Sequence, residues 1–485
     1  VGRLAIYALF WLFSMAVSVR FMHMFQLSSY LFPGYWRWMK SEGAGFNLNY
    51  IPFLPRGKAK KPLKFTSRVW RLLVTQALLL AGIAVGTWFI GGKLQIFLLI
   101  FSFFCTNILI PLANLLLWPV QKIINNWYIR DAQKRLRPDL TVIGVTGSYG
   151  KTSVKTYIGQ LLSVKYNILV TPESYNTPMG VVRTIREKLE PSHSVFVCEM
   201  GARHVGDIQE VCKIVRPRHG VLTAIGPQHL ETFKSVENVA KTKFELIEAL
   251  PPDGTAFLCW GSEHIREKGS GRPAVRYAVS DDASLDVRAE NLTANARGLS
   301  FDVITKSGER EGFTCGLLGR HNIENVTAAI AVALHMGVPL RELVPAVRGL
   351  KPAKHRLELL PKGGGLTVID DSYNANPAGT AAALDALGLF PGTKIIITPG
   401  MVELGEIEET ENRVFGGRIA LVCDYAALVG EKQSEPILAG MLDAGFDKEK
   451  VKVFGSFNDA YQWAVSIQAE EKTILIENDL PDNYR

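Results

Sequence analysis

Thr146-Gly-Ser-Tyr-Gly-Lys-Thr-Ser153 is the stretch of this sequence best equipped to hold phosphate. Gly147 and Gly150 allow backbone N–H groups to turn toward phosphate oxygens, and Ser148 and Ser153 belong to the same cradle. Lys151 would neutralise the outer phosphates and the Thr152 hydroxyl would ligate Mg2+. The run follows an apolar strand, Thr141–Val145, and precedes an apparent helix whose N-terminal dipole favours an anion. The general phosphate-loop pattern asks for glycine at position 145, whereas here Val145 stands after Gly144. The bland alternative is a glycine-rich strand-to-helix turn without a ligand.

Further candidates follow in chain order. Val195-Phe-Val-Cys-Glu-Met-Gly201 is an apolar strand ending in Glu199. His229, in Ile225-Gly-Pro-Gln-His-Leu-Glu231, falls just past the C-terminal end of another strand, the ligand-binding edge of a parallel sheet. A histidine there, taken alone, is more often structural than a metal ligand. Lys241 and Lys243 lie in Val239-Ala-Lys-Thr-Lys-Phe-Glu245, and two lysines on a wet helix face are the plain reading. Asp371, in Asp370-Asp-Ser-Tyr-Asn-Ala-Asn-Pro377, is an acceptor for ribose hydroxyls or for an ammonium. Asn374 and Asn376 would cap the following helix and bond across a closed cleft.

Taken in this order, the motifs resemble the Mur ligase family, which writes its phosphate loop as T-G-S-x-G-K-T. The resemblance implies ATP and Mg2+, with two metal ions as the expectation. Thr152, Glu199 and His229 would hold metal, together with Lys243 carbamylated by carbon dioxide, Lys241 being the fallback. Gly319-Arg-His-Asn-Ile-Glu-Asn325 resembles the family's G-x-H-N-x-x-N signature, in which Asn322 faces the nucleotide base while His321 and Asn325 organise the turn. Arg356, in Lys354-His-Arg-Leu-Glu358, would reach the γ-phosphate from the next domain. Asp370–Pro377 and Pro399-Gly-Met-Val-Glu-Leu-Gly-Glu406 look like the branch that adds D-alanyl-D-alanine to a muramoyl tripeptide. Tyr175-Asn-Thr-Pro-Met-Gly180 resembles that branch's substrate segment and puts Asn176 beside Asn374 and Asn376 as substrate contacts.

The likeness runs from about residue 138 to 478 and departs in two places. Membrane-type segments stand where that branch has a soluble UDP-sugar domain. Its K-G-S-R segment is replaced by Ile476-Glu-Asn-Asp-Leu-Pro481, so basic donors give way to acidic residues. The implied reaction is carboxylate–amine ligation through an acyl-phosphate in cell-envelope biosynthesis, with a small amine or dipeptide as one substrate and a membrane lipid or lipid-linked acceptor as the other. A poly-γ-glutamate-type synthase and a non-catalytic nucleotide-sensing membrane subunit are the competing readings.

The elements that must position these residues read as an α/β protein. Its parts are N-terminal transmembrane helices, a central P-loop parallel-sheet ATPase domain and a C-terminal Rossmann-like α/β domain. Boundaries are expected at 1–137, 138–350 and 351–485. Three uncharged stretches are candidate spans: Leu4–Val19 with its extension to Phe32, Leu72–Gly92, and Leu94–Gln121, the last broken by Pro111 and Pro119. Buried core helices are the alternative or, for the first stretch, a signal peptide. Lys122–Arg137 reads as an interfacial helix. The chain begins at Val1 rather than Met, which leaves room for residues upstream.

Arginines and lysines concentrate in a basic loop, 37–71, and again after the third stretch, with only Lys93 between the second and third. By the positive-inside rule the catalytic domains face the cytoplasm from a multi-pass position in the inner membrane. The +8 net charge is then largely topology and anionic-lipid contact, and no groove-reading or base-stacking motif points to nucleic acid. Six cysteines without C-x-x-C spacing exclude a zinc ribbon and a disulfide framework, and read as reduced thiols.

Overall fold

The computed structural model describes residues 2–41, 62–90, 92–173, 175–228, 230–269, 271–402 and 404–479. These pack as two units, 1–127 and 128–479.

The first unit is helical: Gly2–Leu27, Phe32–Ser41, Ser67–Ile90, Gly92–Phe104 and the beginning of Thr106–Arg135. Three helices are long and apolar enough to cross a membrane, Leu4–Leu27, Ser67–Ile90 and Thr106–Arg135, while Lys93–Phe104 is shorter. The third expected span is therefore two helices. Its break falls at Cys105, whereas Pro111 and Pro119 lie inside a continuous helix that also absorbs the expected interfacial segment. Proline in an apolar helix removes one backbone donor, but neighbouring groups can satisfy the carbonyl it frees. Much of the basic loop lies outside the described residues. A polar seam joins three helices: Gln76 Nε2 donates to Ser18 Oγ at 2.8 Å and to the Thr106 carbonyl at 3.3 Å. Outward, Phe89 is 82% and Ile123 70% exposed, surface that water disfavours and hydrocarbon does not.

The second unit contains two sheets. The first has β1 (Thr141–Thr146), β2 (Ile168–Val170), β3 (Val195–Glu199), β4 (His219–Leu222), β5 (Thr255–Cys259), β6 (Val275–Val279), β7 (Val287–Asn295), β8 (Gly298–Thr305) and β9 (Arg310–Cys315). Their order is β2-β3-β1-β4-β5-β6-β7-β8-β9, parallel from β2 through β7 and antiparallel beyond. Strands β1, β3 and β4 are almost wholly buried, as central strands covered on both faces must be. The helix His321–His335 packs its alanine-rich length into the same core, and Gly337, with φ +77°, follows its C-cap Met336.

The second sheet has β10 (Glu358–Gly363), β11 (Leu366–Asp371), β12 (Thr393–Thr398), β13 (Tyr425–Val429), β14 (Val451–Phe454) and β15 (Lys472–Glu477), in the order β10-β11-β15-β12-β13-β14. All its pairings are parallel except β10 with β11. Separate apolar clusters cover it. Strand β10 has no counterpart in the sequence reading, because Glu358-Leu-Leu-Pro-Lys-Gly363 is a short edge strand carrying a proline and no alternation.

Gly144 has a packing role that explains its place one residue ahead of the usual loop glycine. A Cβ there would lie 2.6 Å from Leu246 Cδ1 and 2.9 Å from Met200 Cε. Its bare backbone lets the helix Val236–Glu248, which carries Lys243, settle onto β1. Gly144→Val should overpack this contact and cost about 1–3 kcal/mol. Thermal unfolding of the detergent-solubilised chain, with a lowered Tm expected, checks this.

Candidate active site

The phosphate loop leaves β1 at the point where the chain's neighbours diverge, with β3 on one side and β4 on the other. Two positions in it admit only glycine. Gly147 has φ +154° and Gly150 φ +77°, and a Cβ on them would meet Thr223 Oγ1 at 2.1 Å and Asn325 Oδ1 at 2.4 Å. Ser148 pins the loop to the segment after β4: its N–H donates to the Ala224 carbonyl at 2.7 Å and its Oγ to the Gly226 carbonyl at 3.0 Å. Ser153 is buried in the first turn of the helix Lys151–Leu162. Lys151 folds back over the loop, its Nζ donating to the carbonyls of Gly147 at 2.8 Å and Ser148 at 2.9 Å. Burial, only partly opposed by Glu199, lowers its ammonium to about 8, and the Arg356 charge acts in the same direction.

Glu199 ends β3 beside this loop and is 1% exposed. Thr152 Oγ1 donates to its Oε1 at 3.1 Å, as does Asn176 Nδ2 at 3.0 Å. Lys155 Nζ lies 3.0 Å from Oε2 and also donates to the Glu173 carbonyl at 2.7 Å. Burial pushes the carboxyl up, but the Lys155 and Lys151 charges and the Asn176 bond outweigh it, so Glu199 is held below its ordinary value and stays ionised. Lys155 was not among the residues singled out from sequence. Its signal was there: it stands four residues after Lys151, on the same face of the same helix. Asn176, expected against substrate, spends its amide on Glu199.

Lys243 is buried and Lys241 exposed, so the helix register gives the two very different environments. Burial, then the nearby Lys151 charge, hold the Lys243 amine well below the usual lysine value, against the pull of Asp207, Glu199 and Glu245. His229 lies outside the described residues. The Glu199 carboxylate and the Thr152 hydroxyl are hard oxygen donors at hydrogen-bond distance from each other, next to a phosphate loop, and this donor set fits Mg2+.

Asn322 is 3% exposed and hydrogen-bonded within the protein. Its Nδ2 donates to the Leu318 carbonyl at 2.7 Å, while its Oδ1 accepts from Tyr157 OH at 3.1 Å and Asn325 Nδ2 at 3.0 Å. The motif thus ties the helix His321–His335 to the phosphate-loop helix. Arg356 stacks on Tyr373, 4.4 Å from the ring centroid, and donates from Nη1 to the Asn374 carbonyl at 3.4 Å. Its charge is felt by Lys151 in the first sheet's domain and by Asp371 and Glu477 in the second's. Asp371, at the end of β11, accepts the Leu357 N–H at 3.3 Å. Asn376 caps the helix Pro377–Gly388, accepting the Gly379 N–H at 2.9 Å. The structure therefore gathers Lys151, Thr152, Lys155, Glu199, Asn176 and Lys243 at one end of the first sheet, with Arg356 between them and Asp371.

Known proteins are similar to this chain. The sequence pattern of the Mur ligase middle domain matches residues 145–333, and that of the Mur ligase, glutamate ligase domain matches 355–477. The UDP-N-acetylmuramoyl-tripeptide–D-alanyl-D-alanine ligase of Bacillus subtilis (strain 168) is 31% identical over 337 residues, 69% of this chain and 72% of that one. The enzyme of the same name from Escherichia coli (strain K12) is 33% identical over 299 residues, 61% of this chain and 66% of that one. Among solved structures, MurF from Acinetobacter baumannii superposes with a TM-score of 0.65 at 27% identity, covering 73% of this chain and 77% of its own.

The depressed Lys151 value gives a pH dependence with a definite sign. The ammonium is nearly fully present below about pH 7, is half present near pH 8 and is lost above it. Phosphate binding favours the charged form, so ATP affinity should be nearly level up to about pH 7 and weaken about fivefold between pH 8 and 9. Titration with a fluorescent ATP analogue checks this, and Lys151→Met should remove the dependence.

Proposed function

This chain belongs to the Mur ligase family of ATP-dependent, amide-bond-forming enzymes, and from that premise we propose that it is a membrane-anchored ligase of cell-envelope biosynthesis. It activates a substrate carboxylate as an acyl-phosphate and delivers it to an amine. The observation that carries this reading is the bond between Thr152 and Glu199: a carboxylate kept ionised in a buried place, at the first turn of a phosphate-loop helix.

Each residue then has a task. The loop N–H groups cradle the phosphates, and Lys151 exchanges its two loop carbonyls for phosphate oxygens. Arg356 comes to the γ-phosphate from the second domain, so the site is complete only when the two domains close on the nucleotide and shut out water. Thr152, Glu199, His229 and a carbamylated Lys243 would hold the magnesium, which supplies positive charge against the transferring phosphoryl group. Carbamylation requires a free amine, and burial beside Lys151 favours that form of Lys243. A carboxylate oxygen attacks the γ-phosphorus as ADP leaves. The amine nitrogen then attacks the acyl carbon, the bond from carbon to the phosphate oxygen breaks, and inorganic phosphate departs.

Residues 1–137 form the anchoring region, 138–350 the central ATP-binding domain and 351–485 the C-terminal domain of this enzyme. Three helices of spanning length and the basic residues on one side of them support a multi-pass inner-membrane position with the active site in the cytoplasm. That position favours a lipid-linked or membrane-surface acceptor. The relatives' names specify a UDP-muramoyl tripeptide and D-alanyl-D-alanine, which makes a muramoyl peptide the first carboxylate to try.

Lys243→Met should retain ATP binding but lower amine-dependent phosphate release by a factor on the order of 100 or more. Depleting dissolved carbon dioxide should slow the parent enzyme and leave the residual rate of the variant unchanged. A variant with parental turnover would remove Lys243 from the site.

A further inference from the structure

The membrane unit carries almost no negative charge. Glu42 is the only acidic residue before Asp131, against nine arginines and lysines between 37 and 71, and it lies outside the described residues. Arg68 and Arg71 stand half-buried at the start of the helix Ser67–Ile90, with no carboxylate partner among the described residues. Their partners are neutral. Arg68 Nη2 donates to Asn114 Oδ1 at 3.1 Å, and its guanidinium lies over the Tyr30 ring, 3.9 Å from the centroid. Arg71 Nη2 donates to Gln121 Oε1 at 2.7 Å. An amide oxygen or a ring face orients a guanidinium but leaves its charge in place. Each guanidinium has five N–H donors, and hydrogen bonds among the described residues use one apiece. Like charges three residues apart on a helix repel, and the backbone dipole at this end is positive as well. Two half-buried cations with spare donors and no counter-ion call for an anion from outside the chain.

The surroundings indicate what carries that anion. Phe65 and Trp70 flank the pair in sequence, and Trp118 lies between Asn114 and Gln121. All three are more than half exposed, as aromatic side chains are at a membrane interface. Val74 and Leu78 continue from Trp70 at four-residue spacing, 55% and 68% exposed, as an apolar stripe along the same helix. An anion held by the arginines therefore has a surface for acyl chains beside it, which selects a lipid over a free ion. Asn114 and Gln121 are seven residues apart on one helix, about 10 Å of axial rise. The guanidiniums they hold diverge accordingly, a spacing that suits two phosphates on a short linker better than one.

We propose that Arg68 and Arg71 form an inner-leaflet site for a phospholipid bearing two phosphates, of the cardiolipin class, seated between the helices Ser67–Ile90 and Thr106–Arg135. Each guanidinium gives N–H bonds to one phosphate. Asn114 and Gln121 are positioning residues that keep the two guanidiniums apart, and the acyl chains lie along Trp70, Val74 and Leu78. The proposal rests on the membrane placement above and not on the ligase chemistry.

The test uses the full chain in detergent micelles, titrated by native mass spectrometry with tetraoleoyl cardiolipin, dioleoyl-phosphatidylglycerol and dioleoyl-phosphatidylcholine. Cardiolipin should bind at least about tenfold more tightly than phosphatidylglycerol supplied at equal phosphate, and phosphatidylcholine more weakly still. Replacing both arginines, Arg68→Lys with Arg71→Lys, keeps the charges but loses the planar donor fork, and should lower cardiolipin affinity about fivefold or more. Lys64→Gln, which removes an exposed charge nearby, should stay within about twofold of the parent. Should the double variant lose its fold by circular dichroism, Arg68→Gln and Arg71→Gln made singly should each erase the preference for cardiolipin. Parental affinity in the double lysine variant, an equal loss in Lys64→Gln, no preference for cardiolipin in the parent, or its displacement by inorganic phosphate would overturn the proposal. Alkaline carbonate extraction of the parent from membranes reads the anchoring separately. Release without detergent would sink the membrane placement, whereas a retained protein without cardiolipin preference would sink only the lipid site.

Discussion

A carboxylate almost sealed from water stays charged only if fixed positive charge and donors replace the lost hydration. Glu199 is that carboxylate here, and the surroundings are organised around keeping it ionised. Lys155 supplies charge from the second turn of the phosphate-loop helix, Thr152 a hydroxyl from the first, and Asn176 an amide from the far side. These partners in turn fix the local backbone. The helix Lys151–Leu162 must begin where it does for Thr152 and Lys155 to face β3, and the left-handed glycines at 147 and 150 make that start possible. A second consequence is electrostatic. Lys151 and Lys155 together outweigh Glu199, so the end of the first sheet is a positive basin suited to phosphate even before a metal adds its charge.

Arg356 couples this basin to the second sheet. It belongs to the connection between the two cores, and its charge lowers the proton affinity of groups on both sides. A guanidinium holds its charge throughout the physiological range, so its position rather than its protonation decides which partner it serves. Moving it toward phosphate strengthens one interaction and weakens another. That exchange links the nucleotide to the acidic end of the second sheet without any change in secondary structure. Arg356 sits in a turn with positive φ on both sides of it, at His355 and at the core residue Leu357.

Much of this was legible in the sequence, for definite reasons. Strand β1 falls on its expected apolar run, longer by Thr146, because parallel strands buried on both faces read as continuous β-branched and apolar runs between turn residues. The phosphate loop, Glu199, Lys243 and Arg356 carried motif signals, and the structure assembles them around one loop. Three features stayed hidden. The break at Cys105 has neither glycine nor proline to mark it, while the prolines that invited a break are accommodated within a helix. Asn322 has the residue type of a ligand contact, and only the packing of two helices shows that it also ties Tyr157 to the Leu318 carbonyl. Glu477 reads as one acid in an acidic tail until strand register sets it against Asp371.

The central claim is that Glu199 is kept charged in order to hold a divalent cation at the nucleotide phosphates. Manganese(II) titration followed by electron paramagnetic resonance, with ADP present, measures this directly. The account predicts nucleotide-dependent Mn2+ binding in the parent and affinity weakened about tenfold or more in Glu199→Gln, with the fold retained by circular dichroism. Parental Mn2+ affinity in a folded Glu199→Gln protein would contradict it.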